Sequence, residues 1–132
     1  MNRIKNNVEM EKIRLIIDSG VGFYKLCEKV AQNERNGMIV LGGGFPQNFL
    51  QDSIIGINDH LDKPDFPPFE YIAKISTSDP RDGSASGSTV AETQSWSKTR
   101  GSEQGHGAEV WSDYTIALPL IYAYLTETIG DK

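Results

Sequence analysis

The chain is poor in the residues that build many familiar sites. It has a single cysteine, Cys27, so no disulfide can form within it, and a reducing compartment such as the cytoplasm is expected. Cys27 lies on an apolar helical face and reads as buried filler rather than a nucleophile. There are two histidines, His60 and His106, one in each of two polar loops. Neither has a cysteine or carboxylate beside it at metal-ligand spacing, so neither a metal site nor a Ser-His-Asp triad is expected, and both read as solvated. No apolar run reaches the roughly 18 residues that a membrane helix needs. The opening "MNRIKNNVEMEK" lacks the apolar core of a signal peptide. Basic residues are also in deficit: the formal charge of −5 argues against a nucleic-acid partner, which would call for clustered Lys and Arg.

What the chain does have is glycine, thirteen in 132 residues, a length that fits one domain. Residues 1–17 read as a polar lead-in that ends in a short strand or helix at 13–17. Residues 18–132 read as the domain. "DSGVGFYKLCEKVAQNERNG" predicts a helix capped by Asp18 or Ser19, with Phe23, Leu26, Cys27 and Val30 on one buried face. Gly37 suits the left-handed position after its end. "MIVL" predicts a strand buried on both faces. "FPQNFLQDSIIGI" predicts a helix with Pro46 in its first turn, and "NDHLDKPDFPPFE" a loop. "YIAKIS" and "AEVWSD" predict two more strands, the first alternating only in part. A long polar segment separates them, with a short helix at 89–95. "YTIALPLIYAYLTETIG" predicts a final apolar helix buried on several sides. This order predicts an α/β fold with a mainly parallel sheet. Ligands in such folds sit beyond the C-terminal strand ends, here residues 42–44, 76–82 and 113–115.

Each polar cluster admits two readings. "VLGGGFPQNF" is a glycine turn that faces a ligand or merely turns tightly; it is neither G-x-G-x-x-G nor a Walker loop. "STSDPRDGSASGS" suits ribose and amide hydrogen bonding, or is a flexible surface loop. Asp113 in "SDYT" could hold a ribose, or cap the last helix. In "AETQSWSKTR", Lys98 as a nucleophile must lose its proton, which burial or neighbouring charge can assist. Trp96 could wall an amine substrate, and Glu92 could pair with a second amino group. Equally, the tryptophan could pack on the core beside a solvated lysine.

Taken together and in order, "GMIVLGGGFPQNF", "SDPRDGSASGSTVAETQSWSK" and "SDYTIALPL" resemble the C-terminal part of the deoxyhypusine synthase family over residues 18–128. That family includes the homospermidine synthases and bacterial deoxyhypusine-synthase-like proteins, and "FPQNF" looks closer to the bacterial branch. The resemblance implies a three-layer Rossmann-like α/β fold with flanking helices. It also implies NAD-dependent transfer of the aminobutyl group of spermidine, first to an enzyme lysine as an imine and then to an acceptor amine. By this resemblance Lys98 matches the covalent lysine, Trp96 the tryptophan along the polyamine, and Glu92 a carboxylate at its amine end. Gly42, Gly43, Thr77, Asp82, Ser86, Asp113 and Tyr114 fall where the family touches NAD. Three positions depart. Asn48, a candidate substrate contact, stands for an active-site histidine, Ala85 for a substrate-binding aspartate, and Ser97 for the glycine of SWGK. The chain is also much shorter than the family's enzymes. The expectation is therefore a transferase completed by an N-terminal half or by homo- or hetero-oligomerisation. The alternative is a non-catalytic truncated paralogue that binds or regulates a full-length partner. A third reading is a nucleotide-binding module unrelated to polyamines.

Overall fold

The computed structural model describes residues 17–100 and 106–130; the lead-in element expected at 13–17 lies outside them, Ile17 apart. Helix α1 spans Ser19–Val30 and starts where the Asp18 carboxylate accepts the Val21 amide at 3.0 Å. Cys27 and Val30 are buried on its inner face, with Phe23 and Leu26 packed beside them. Gly37 does not close this helix. The side-chain amide of Asn36 donates to the carbonyls of Val30 and Asn33, which satisfies the helix end without a left-handed residue. Gly37 instead opens strand β1, Gly37–Leu41.

Strands β1, β2 (Tyr71–Ser76) and β3 (Gly107–Trp111) form a parallel sheet in that order. The crossover from β1 to β2 holds two helices where one is expected: α2, Gly44–Gln51, and α3, Ser53–His60, meeting at Asp52. His60 therefore sits in the last turn of a helix, not in a loop. The crossover from β2 to β3 holds two 3-10 turns, Pro80–Asp82 and Ala85–Gly87, then helix α4, Val90–Ser95. Helix α5, Tyr114–Ile129, follows β3. The architecture is α/β and Rossmann-like, a parallel three-stranded sheet with flanking helices.

The core lies on one face of the sheet. Met38 and Val40 of β1 and Ile72 of β2 pack there against Cys27 and Val30 of α1 and Ile54 and Ile57 of α3. The other face corrects the expectation of a doubly buried strand: Ile39 is 73% exposed, and Leu41, Tyr71 and Val110 are exposed beside it. Helix α5 corrects a second expectation, since only Ala117 on it is buried. Both have the same cause: among the described residues, no second layer covers those surfaces. His106 is half-buried rather than solvated, its ring 4.8 Å from that of Tyr71. No helix among the described residues is long and apolar enough to cross a membrane.

Candidate functional site

Parallel pairing brings the C-terminal strand ends to one edge, as the sequence predicts. Gly42 and Gly43 leave β1 with φ of 63° and 68°, a region that glycine enters without a Cβ penalty. The Gly42 amide donates to the Ile75 carbonyl at 2.8 Å. Gly44 lies so close to Ala85 and Ser86 that a Cβ there would strike their backbone, and its amide donates to the Ser86 hydroxyl at 3.1 Å. The glycine turn and the Ser-rich loop are thus one unit. Thr77 is exposed just after β2. Asp82 closes the first 3-10 turn, and its side chain lies outside what is described. Asp113 settles its two readings partly: Oδ1 accepts the Thr115 amide at 2.8 Å and its hydroxyl at 2.7 Å, capping α5. The Thr115 hydroxyl and amide hold the Asp113 carboxyl below the usual carboxylate range. Tyr114 is exposed, its ring 3.9 Å from where a Cβ on Gly42 would sit. Open backbone at a strand end, an ionised carboxylate and exposed hydroxyls are the donor set that suits one side of a dinucleotide.

Lys98, Trp96, Glu92 and Asn48 come together as expected. With Ser88 and Thr93 they line a cavity of about 230 Å³. A second cavity of about 510 Å³ shares Asn48, Ser88 and Glu92, and is completed by residues of the Pro80–Ser88 segment, including Ala85. The Asn48 amide donates to the Gly44 carbonyl at 2.9 Å, which fixes its orientation along α2.

The end of α4 sets where Lys98 points. The Ser97 amide donates to the Gln94 carbonyl at 2.9 Å, and the Lys98 amide to the Thr93 carbonyl at 3.2 Å. This double closure is a Schellman motif, whose left-handed position is usually glycine. Ser97 occupies it with φ 57°. Serine therefore supports a turn whose left-handed position ordinarily favours glycine. Beyond it, the Lys98 carbonyl accepts the Phe69 amide at 3.1 Å, and the Thr93 and Thr99 hydroxyls meet at 3.1 Å. The backbone of the lysine is held from both sides.

Its side chain is largely buried, with Nζ 5.8 Å from the centre of the Trp96 ring, while Trp96 itself is 66% exposed. Nζ also lies 2.6 Å from Asp52 Oδ1, a partner that sequence reasoning missed. Asp52 stands four residues after Asn48, so helical spacing alone would have placed the two on one face. Also missed was Lys74, 2% exposed on the core face of β2. Its signal was the one cation in "YIAKIS", where the strand's alternation breaks.

The family model for deoxyhypusine synthase matches residues 3–125. The deoxyhypusine synthase-like protein of Chlorobaculum parvum (strain DSM 263 / NCIMB 8327) is 35% identical over 108 residues, 82% of this chain and 30% of that protein. The probable deoxyhypusine synthase 1 of Archaeoglobus fulgidus is 35% identical over 101 residues, 76% of this chain and 30% of that protein. The deoxyhypusine synthase-like protein of Elusimicrobium minutum is 29% identical over 121 residues, 92% of this chain and 31% of that protein. The chain spans about 30% of the length of these relatives. With the match running through the glycine turn, the Ser-rich loop and the lysine cavity alike, the chain belongs to the deoxyhypusine synthase family.

Proposed function

We propose that this chain carries the lysine-bearing part of an NAD-dependent aminobutyl transferase that uses spermidine. The observation that carries the reading is the shared cavity of Lys98, Trp96, Glu92 and Asn48. Its chemistry suits a flexible polycation. Glu92 offers a carboxylate to one ammonium. The exposed Trp96 ring gives the alkyl chain an apolar wall and the ammonium a cation–π face. Asn48 adds a fixed amide in place of an ionisable group.

Lys98 is the nucleophile in this scheme. It leaves the Asp52 ion pair, gives up a proton, and adds through Nζ to the imine carbon of oxidised spermidine. Diaminopropane departs as the aminobutyl group becomes an imine on Lys98. An acceptor amine then displaces Lys98. NAD, when bound, supplies the hydride acceptor and donor for this sequence. Gly42, Gly43, Thr77, Asp82, Ser86, Asp113 and Tyr114 are the residues that would hold it.

A chain that spans about 30% of its relatives' length supplies only part of such a site. The bare sheet face and α5 support completion by the rest of the family fold, on a longer form of this polypeptide or on a partner in a homo- or hetero-oligomer. A second reading is a non-catalytic relative that binds or regulates a full-length partner. Ala85 favours it, because a carboxylate lost beside the cavity weakens amine binding.

Borohydride trapping separates the two. The chain is incubated with NAD and spermidine, alone and with a polypeptide corresponding to the remaining part of the family fold. Mass spectrometry should find a reduced aminobutyl adduct on Lys98 in the completed complex, and none in Lys98→Arg. No adduct in any combination leaves the binding role as the surviving reading.

A further inference from the structure

The transferase reading leaves a buried lysine without a role. Lys74 stands in the middle of β2, on the same face as Val40 and Ile72, which belong to the core. Its Nζ donates to the Ser86 carbonyl at 3.0 Å and to the Ser88 carbonyl, and lies 3.8 Å from Glu109 Oε1. Glu109 is its neighbour in register on β3. Two of the ammonium's three donors meet carbonyls, and Glu109 balances the charge as an ion pair. Burial pushes the Lys74 ammonium down from its ordinary range, opposed chiefly by Glu109. A methionine would fill the same space among Val40 and Ile72 without desolvating a charge, so core filling does not explain a lysine here.

What the charge does provide is a tie between the sheet and the loop above it. Both carbonyls it holds belong to residues 84–88. Ser88 lines both cavities, and Ser86 accepts the amide of Gly44 in the glycine turn. Glu109 in turn accepts the Val90 amide at 3.4 Å through Oε2, at the start of α4. Helix α4 carries Glu92 and leads into Trp96 and Lys98. We infer that Lys74 is a positioning residue: by clamping residues 84–88 and, through Glu109, the start of α4, it sets the wall shared by the two cavities. Occupying those two carbonyls also withdraws them from an incoming amine, which leaves Glu92 as the carboxylate that faces both cavities.

The test uses the full chain as Lys74→Met and as Lys74→Met/Glu109→Gln. The double variant leaves no unpaired buried charge but still lacks the clamp. Amide hydrogen exchange at Gly44, Gly87 and Ser88 should accelerate at least about tenfold in both, while β1 and β2 amides stay near wild type. Unchanged exchange at the loop overturns the inference. So does equal acceleration across the sheet, or failure of both variants to fold, since each assigns Lys74 to the core alone. A second arm rests on the amine reading: spermidine titration, followed at Ser88 and Glu92, should weaken about tenfold in the double variant. Absence of spermidine binding by wild type, both alone and in the completed complex, sinks the amine reading, and the exchange data still decide the clamp.

Discussion

Ser97 concentrates the local tension of this site in one residue. It holds φ 57° without glycine's freedom, in a turn that two backbone hydrogen bonds impose. A left-handed non-glycine residue costs about 1–2 kcal/mol, and glycine's extra unfolded-state entropy returns about 0.5–1 of that. Ser97→Gly should therefore stabilise the chain by about 0.5–1 kcal/mol in chemical denaturation, and leave Lys98 where it is. A loss of stability would mean that the serine side chain makes a compensating contact. Glu92, Trp96 and Lys98 lie within seven positions of one another and Asn48 lies in the glycine motif, but spacing left their role open, and it was the family resemblance of the ordered motifs that singled them out. Asp52 was not legible, because its ion pair with Lys98 joins two elements 46 residues apart and depends on how α2 packs beside α4. Lys74 was not singled out either. A single sequence shows that a strand holds a lysine, but not that the sheet buries it under two carbonyls.

At the scale of elements, the apolar periods were sound guides and the joints were not. The inner face of α1 follows its i, i+3, i+4, i+7 pattern, and Thr89 caps α4 by accepting the Glu92 amide at 3.1 Å. The break between α2 and α3 has no glycine or proline to announce it, since the joint is Gln51-Asp52-Ser53. The packing of α1 on α3 turns on Gly56, a glycine inside a helix that would favour alanine by propensity. A Cβ on Gly56 would sit 2.7 Å from Cys27 Sγ and 2.7 Å from the Phe23 ring. Overpacking of this kind costs about 1–3 kcal/mol, while the propensity gain is at most about 1. Gly56→Ala should thus lower the melting temperature, and Gly56→Ala/Cys27→Ala, which removes the Sγ that the new Cβ meets, should recover part of the loss. An unchanged melting temperature in the single variant would mean that α1 and α3 can part without penalty.

The whole molecule presents an apolar surface that its own described residues leave bare. On α5, Ile116, Leu120 and Tyr124 recur every four residues and are 63%, 67% and 66% exposed, while Ile39 and Val110 lie open on the sheet. Composition alone made α5 a buried helix. That reading was right about the chemistry of its surface and wrong about what the described residues supply to cover it. A helix apolar all round belongs inside a larger core. The relatives are about three times as long, and under the proposed completion their remaining part would supply the cover. Leu120→Glu tests this without disturbing the chain's own core, because the side chain is already mostly in solvent. Its melting temperature should match wild type. Its affinity for a polypeptide corresponding to the rest of the family fold should fall by about tenfold to a hundredfold, the 1.5–3 kcal/mol expected when a buried leucine is lost. Sedimentation of the mixed chains measures this directly. Equal affinity for both forms would place the completing surface elsewhere than α5.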